Sequence, residues 1–362
     1  QGLYYNPDFF TPEGKVRIDG HATDVVTDLA VDWLKKNRSD DKPFMLMVQH
    51  KAPHRAWMPA LRHLKLYNDI DIPEPDTLFD NYKDNAPGVR HQEMEIDRHM
   101  DPNYDLFVDL TADFAGTPIQ KRQDRSARGN MTRMTEAQMK AWRAHYGPRD
   151  EAFHKAKLKG KDLVRWKYQR YMRNYLSCVA GVDRNVGRVL DRLDALQLSE
   201  HTLVVYCADQ GFYLGEHGWF DKRWAYEESL KMPLIMRWPG KIKAGTRSQA
   251  LVQNIDYAPT LLEVAGLKPQ WSVHGTSLLP ILSGEGVDPD DWRKAINYRY
   301  MDAGHGVPRH RAVRTLGHKL IYFDQPRNAE EEENRWELFD MARDPQEIRN
   351  VATDQALSLI HI

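Results

Sequence analysis

The stretch LVVYCADQGFYLGEHGWFDKRW, residues 203–224, passes from an uncharged apolar run into an acid, an amide, glycines, a histidine and a lysine. A short apolar run rich in Val and Tyr and bounded by turn residues reads as a buried strand. Loops converge beyond the strand ends of an α/β sheet, so the residues that follow such a run are placed to hold a ligand. Asp209 and Gln210 supply a carboxylate and an amide carbonyl, hard oxygen ligands of the kind Ca²⁺ or Mg²⁺ takes. Gly211 lets another backbone approach closely. Lys222 offers a compact positive charge for an oxyanion. Read singly, Asp209 serves equally as a turn residue and Lys222 as a solvated charge.

Outward from this stretch the chain alternates between helix and strand. YLSCVAGVDRNVGRVLDRLDAL places Val179, Val182, Val186, Val189 and Leu193 on one helical face ending near Gln197. GHATDVVTDLAVDWLKKN reads as a helix and PFMLMVQ, residues 43–49, as a buried strand after it. MPLIMRWPG reads as a strand and NIDYAPTLLEVAGL as a helix broken at Gly266. This alternation predicts a mixed sheet with helices on both faces, over residues 1–285. Residues 66–165, charged and Pro-punctuated, read as a long irregular excursion with short helices. KAINYRY, HRAVRTLGHKLIYF and RWELFDM read as strands of a small antiparallel C-terminal α+β subdomain, residues 286–356.

The 51 Lys+Arg nearly cancel the 52 Asp+Glu, so no global field recruits nucleic acid or a membrane surface. No stretch approaches the roughly 18 apolar residues of a spanning helix. The cysteines, Cys178 and Cys207, fit neither a disulfide framework nor a thiolate metal site. A second strand end, HKAPHR, carries Lys51, His54 and Arg55 into a loop that Pro53 and Pro59 keep irregular. Histidine there can donate to an anion or protonate a leaving oxygen. His50 and His54 have zinc-pair spacing, but the intervening Pro53 argues against a shared helical face.

These residues together resemble the type I sulfatases of the alkaline phosphatase superfamily. ADQGFYLGEHGWFDKRW is similar to the family's late metal-binding strand and its sulfate-binding lysine, and VQHKAPHRAW to the segment carrying a sulfate-binding histidine. GTSLLPILSG and WELFDMARDPQEIRNV match later signatures, so the likeness covers nearly the whole chain. It implies an alkaline-phosphatase-like α/β fold, Ca²⁺ held by Asp209 and Gln210, sulfate contacts from Lys222 and His54, and a sulfated carbohydrate as substrate. It further implies Lys51, Arg55, His217, His305 and His310 as substrate contacts, and a periplasmic or secreted location. The bacterial sulfatases of 6-sulfated N-acetylglucosamine and of heparan-type glycosaminoglycans fit the pattern best.

One departure bears on activity. Family members use a formylglycine made from Cys or Ser in a C/S-x-P-S-R motif, and none occurs here: Cys178 precedes Val-Ala-Gly, and Cys207 precedes Ala-Asp-Gln. The chain is therefore expected to be a piece lacking the family's first third, inactive alone. The last six residues, LSLIHI (357–362), match a translated sequencing-adapter end and are expected not to be biological. Two other readings stay open: a phosphoester or phosphonate hydrolase of the same superfamily, and a nucleophile-free relative that binds sulfated glycans.

Overall fold

Residues 8–17 form a hairpin, β1 (Asp8–Thr11) and β2 (Gly14–Arg17), turned at Pro12 and Glu13. The computed structural model describes residues 2–39, 41–110, 128–284, 291–302 and 306–354. These fall into two compact units, the first made of residues 1–74 with 96–198 and the second of 75–95 with 199–362. The expected 286–356 subdomain lies wholly inside the second unit, and the 357–362 tail lies outside the described residues.

The first unit is helical around an aromatic core. The predicted helix at 20–37 forms as Ala22–Lys36, burying Val25 and Leu34. It packs against a 36-residue helix, Gly160–Ala195, to which it is tied by Asn185 Nδ2 donating to Asp24 Oδ1 at 2.9 Å. The sequence marks this long helix only from Tyr175. Its earlier turns bury Lys167 and Arg170 on the core face, where the charges break the apolar period. Both are satisfied inside: Lys167 Nζ donates to the carbonyls of Ile96 and Asp97, and Arg170 Nε to that of Leu106.

The expectation of only short helices in 66–165 is corrected by a 21-residue helix, Glu136–Ala156. Its start is written in T-E-A-Q: Thr135 Oγ1 accepts from the Gln138 N–H while the Gln138 side chain accepts from the Thr135 N–H, a capping box. Trp142 and Tyr146 point inward with ring centroids 4.4 Å apart and meet Tyr5 and Phe107 at 5.1–6.1 Å. A second correction concerns residues 43–49, which run without a ladder and leave Met45 and Met47 64–67% exposed. Composition marks a segment fit for a sheet, but a strand exists only where a neighbour takes its N–H and C=O groups.

In the second unit the opening stretch forms the expected strand, β3 (Val204–Cys207), but not a buried one: Val204 and Val205 are half-buried, and Tyr206 and Cys207 are exposed. β4 (Tyr213–Leu214) pairs β5 (Phe220–Asp221), and β6 (Leu234–Arg237) pairs β3. The β3–β6 ladder is antiparallel, as is every strand ladder among the described residues. The predicted helix at 254–267 forms over Tyr257–Val264 and stops at Gly266, whose φ of 70° suits glycine. The C-terminal strands appear as predicted: β7 (Ala295–Tyr300), β8 (His310–Thr315), β9 (His318–Phe323) and β10 (Trp336–Asp340) form an antiparallel sheet in the order β10-β9-β8-β7. One face of it, through Ala312, Ile321, Phe323 and Phe339, packs on Trp219, Trp224 and Tyr226 in the core of this unit.

Candidate active site

Three segments of the second unit meet around Ser229. The Gly211 N–H donates to the Ser229 carbonyl at 2.9 Å, and the Arg223 N–H donates to Ser229 Oγ at 3.0 Å. The strand end after β3 and the turn carrying Lys222 are thus hung on one buried residue. The approach is close: a Cβ on Gly211 would lie 2.1 Å from the Glu228 carbonyl oxygen. Asp209, just before it, is exposed and Gln210 is half-buried.

Lys222 lies in a turn where Asp221 and Arg223 both take positive φ, 78° and 109°. Its Nζ is 3.6 Å from Asp221 Oδ1 and 5.7 Å from the centre of the Phe212 ring, two residues past Gln210. The structure therefore brings the lysine beside the 209–212 segment. Arg223, which residue type alone does not single out, pairs through Nη1 with Asp221 Oδ2 at 2.7 Å, and its carbonyl accepts from the Tyr298 hydroxyl at 2.8 Å. The tandem Asp-Lys-Arg was the available signal. One carboxylate thus holds two cations at the turn.

His217 is corrected as a substrate contact: it is 1% exposed. Its N–H donates to Thr77 Oγ1, its carbonyl accepts from the Tyr82 hydroxyl at 2.6 Å, and Nδ1 donates to Asp80 Oδ2 at 3.1 Å. Burial works against a charged ring here, but the Asp80 hydrogen bond and the nearby carboxylates of Glu228 and Glu347 outweigh it and raise the pKa. His217 fixes the 215–218 turn from within.

His310 is corrected in the same way, being fully buried among Trp224, Tyr298, Tyr300 and Phe323. Inward-facing positions of β8 alternate with outward ones, and His310 falls on the core side. Its ring pairs with the Pro308 carbonyl at 2.8 Å, and burial pushes its pKa down to about 4. A folded-state pKa below the ordinary value near 6.5 contributes stability that is present above about pH 6.5 and lost as pH falls toward 4. His310→Phe should therefore remove about 3 kcal/mol of the wild-type loss between pH 7 and pH 4, at about 1.4 kcal/mol per pH unit. Urea unfolding at the two pH values checks this, and equal losses in both proteins would refute it. His305 lies outside the described residues.

The residues that follow the expected strand at 43–49 lie in the first unit. Pro53 and Pro59 bound an irregular loop, as predicted. The His54 carbonyl accepts from the Tyr4 hydroxyl at 2.6 Å, and its Nδ1 lies 2.6 Å from the Arg55 carbonyl. Arg55 spends Nε and Nη2 on both oxygens of Asp105, at 2.5 and 2.7 Å, and Asp105 is fully buried. Lys51 Nζ sits 4.8 Å over the Tyr4 ring. Lys51, Arg55, Tyr4 and Tyr104 line a cleft of about 260 Å³. No local pattern points to Asp105, since ion pairing across 50 positions leaves no periodic trace.

The groups implied by the resemblance meet this chain unevenly. Asp209 and Gln210 are oxygen donors of the right kind for calcium, but a calcium ion takes 6–8 oxygens, and the described residues hold no cluster of three or more His, Cys, Asp or Glu able to bind a metal. The strand end fits part of such a site and does not complete one. Neither cysteine fits the modified nucleophile: Cys178 is sealed within a helix, where burial raises its pKa, and Cys207 lies on β3.

Known proteins resemble this chain over most of its length. The Sulfatase family profile matches residues 1–267, and the profile of the N-sulphoglucosamine sulphohydrolase C-terminal region matches residues 215–361. An N-acetylglucosamine-6-O-sulfatase of Bacteroides thetaiotaomicron is 43% identical over 97% of this chain and 61% of its own length. The human N-acetylglucosamine-6-sulfatase is 27% identical over 84% of this chain and 44% of its own. A solved protein in complex with its substrate D-glucosamine-2-N,6-O-disulfate superposes with a TM-score of 0.89 at 41% identity, covering 99% of this chain and 71% of that one. The chain thus spans about three fifths of the Bacteroides relative. Its fold is the alkaline-phosphatase-like fold of sulfatases, with a C-terminal antiparallel sheet. With a family profile running through residues 1–267, this chain belongs to the sulfatase family.

Proposed function

We propose that this chain carries the sulfate-holding part of a sulfuric ester hydrolase that acts on a 6-sulfated glucosamine in a carbohydrate. The observation that carries this reading is the 43% identity over 97% of the chain to an N-acetylglucosamine-6-O-sulfatase. The approach of Lys222 Nζ to the Phe212 ring, two residues past Gln210, supports it. Sulfatases generally work with Ca²⁺ and formylglycine, which supply a Lewis acid and a nucleophilic hydroxyl. The work of this chain's own residues is binding and charge. Lys222 offsets negative charge on sulfate oxygens, a role in which a preorganised cation gains from partial burial. Asp221 and Phe212 hold its ammonium in place. Arg55, locked by Asp105, fixes the loop in which His54 stands as a donor toward an anion or a leaving oxygen.

The chain alone should release no sulfate from N-acetylglucosamine 6-sulfate above a Lys222→Ala control. A fusion that adds a C/S-x-P-S-R segment from a family member, expressed with formylglycine maturation, should release it, and Lys222→Ala in that fusion should cut kcat/KM by at least about a hundredfold, the scale of one preorganised electrostatic group. Turnover by the unfused chain, or a fusion indifferent to Lys222, would refute the reading.

A further inference from the structure

The face of the C-terminal sheet turned away from the core carries an ordered row. In register, Arg299 of β7 stands opposite Arg311 of β8, Arg311 opposite Tyr322 of β9, and Tyr322 opposite Trp336 of β10. These positions alternate with the buried His310, Ala312, Ile321 and Phe323, so the row faces outward. Arg299 is exposed, the Arg311 side chain is 57% exposed, and Trp336 is 37% exposed. The Tyr322 and Trp336 rings lie 4.4 Å apart, and the guanidinium groups of Arg311 and Arg335 stand 5.4 and 5.8 Å from the Tyr322 centroid. Arg335 Nη1 also donates to the Tyr322 hydroxyl at 2.7 Å.

We propose that this row, with Arg335 beside it, is a docking surface for a sulfated oligosaccharide. The inference rests on the reading that the substrate is a sulfated carbohydrate, and it extends that reading to a longer stretch of the polymer. Flat aromatic rings offer stacking area to the apolar faces of sugars, and guanidinium forks match tetrahedral oxyanions in two-pronged hydrogen bonds. Four strands at about 4.8 Å spacing make a row of roughly 14 Å, the reach of a short oligosaccharide. The groups are held before any ligand arrives: Arg311 donates both Nε and Nη2 to Asp324 Oδ1, leaving its Nη1 edge for a ligand, and Arg335 pairs with Glu332, which lowers the ordering cost of binding. Three guanidiniums, Arg299, Arg311 and Arg335, against these two carboxylates leave one net positive charge. The interaction is therefore modest, salt-sensitive and dependent on stacking as much as on charge.

The test titrates a size-defined heparin tetrasaccharide and its desulfated counterpart into the full chain in the Lys222→Ala background, which silences the strand-end site. Arg299→Glu and Trp336→Ala should each raise Kd at least fivefold, Trp336→Phe should retain most of the affinity, and the desulfated sugar should bind at least fivefold more weakly. Unchanged Kd in both Arg299→Glu and Trp336→Ala, equal binding of the desulfated sugar, or no binding in this background would overturn the proposal. Circular dichroism matches the variants for folding. A parallel titration of glucosamine 6-sulfate into the Lys222 form reads the strand-end site independently, so that failure there is told apart from failure of the sheet surface.

Discussion

Gly211→Ala should destabilise the second unit by about 3 kcal/mol or more, the upper range for forcing an extra carbon into a packed site. The new Cβ would stand 2.1 Å from the Glu228 carbonyl oxygen and 2.9 Å from the Ser229 carbonyl carbon, both backbone atoms with no rotamer to yield. The strand end would have to leave Ser229, breaking the Gly211 N–H bond and loosening the segment that presents Asp209 and Gln210. Chemical denaturation followed by tryptophan fluorescence reports the loss directly, because Trp219 and Trp224 lie in the core of this unit. A change under about 1 kcal/mol would show that the strand end is not held by this approach.

Arg55→Met should cost about 3–5 kcal/mol, the usual penalty for stripping the counter-ion from a buried charge. Asp105 is fully buried, and the guanidinium reaches both of its oxygens. Adding Asp105→Asn to Arg55→Met should recover part of the loss, because the buried charge is then gone, and a double-mutant cycle isolates the coupling. A loss under about 1 kcal/mol for Arg55→Met would show that this ion pair does not hold the loop.

These outcomes follow from features the sequence showed unequally. β3, the Gly266 stop and the four C-terminal strands were legible because each joins a clear period to a turn residue. Gly211 was legible as a place of close approach, although only the structure names Glu228 as what approaches it. The buried positions of His217 and His310 were not legible. A histidine reads alike at a surface and in a core, and its surroundings come from distant residues such as Asp80 and Phe323. The helix Glu136–Ala156 was hidden because its exposed faces are charged and Pro148 sits inside it, while the capping box at Thr135 was its one local sign.

The central claim is that Lys222, set beside the Asp209–Gln210 strand end, holds the sulfate of a 6-sulfated glucosamine. Calorimetric titration of glucosamine 6-sulfate, with unsulfated glucosamine as control, into the chain and its Lys222→Ala variant in calcium tests it most directly. The account predicts binding that needs the sulfate and weakens about tenfold or more on losing the lysine, the worth of a charge-assisted hydrogen bond. Equal affinity in the two proteins, or equal affinity for the two sugars, would contradict it.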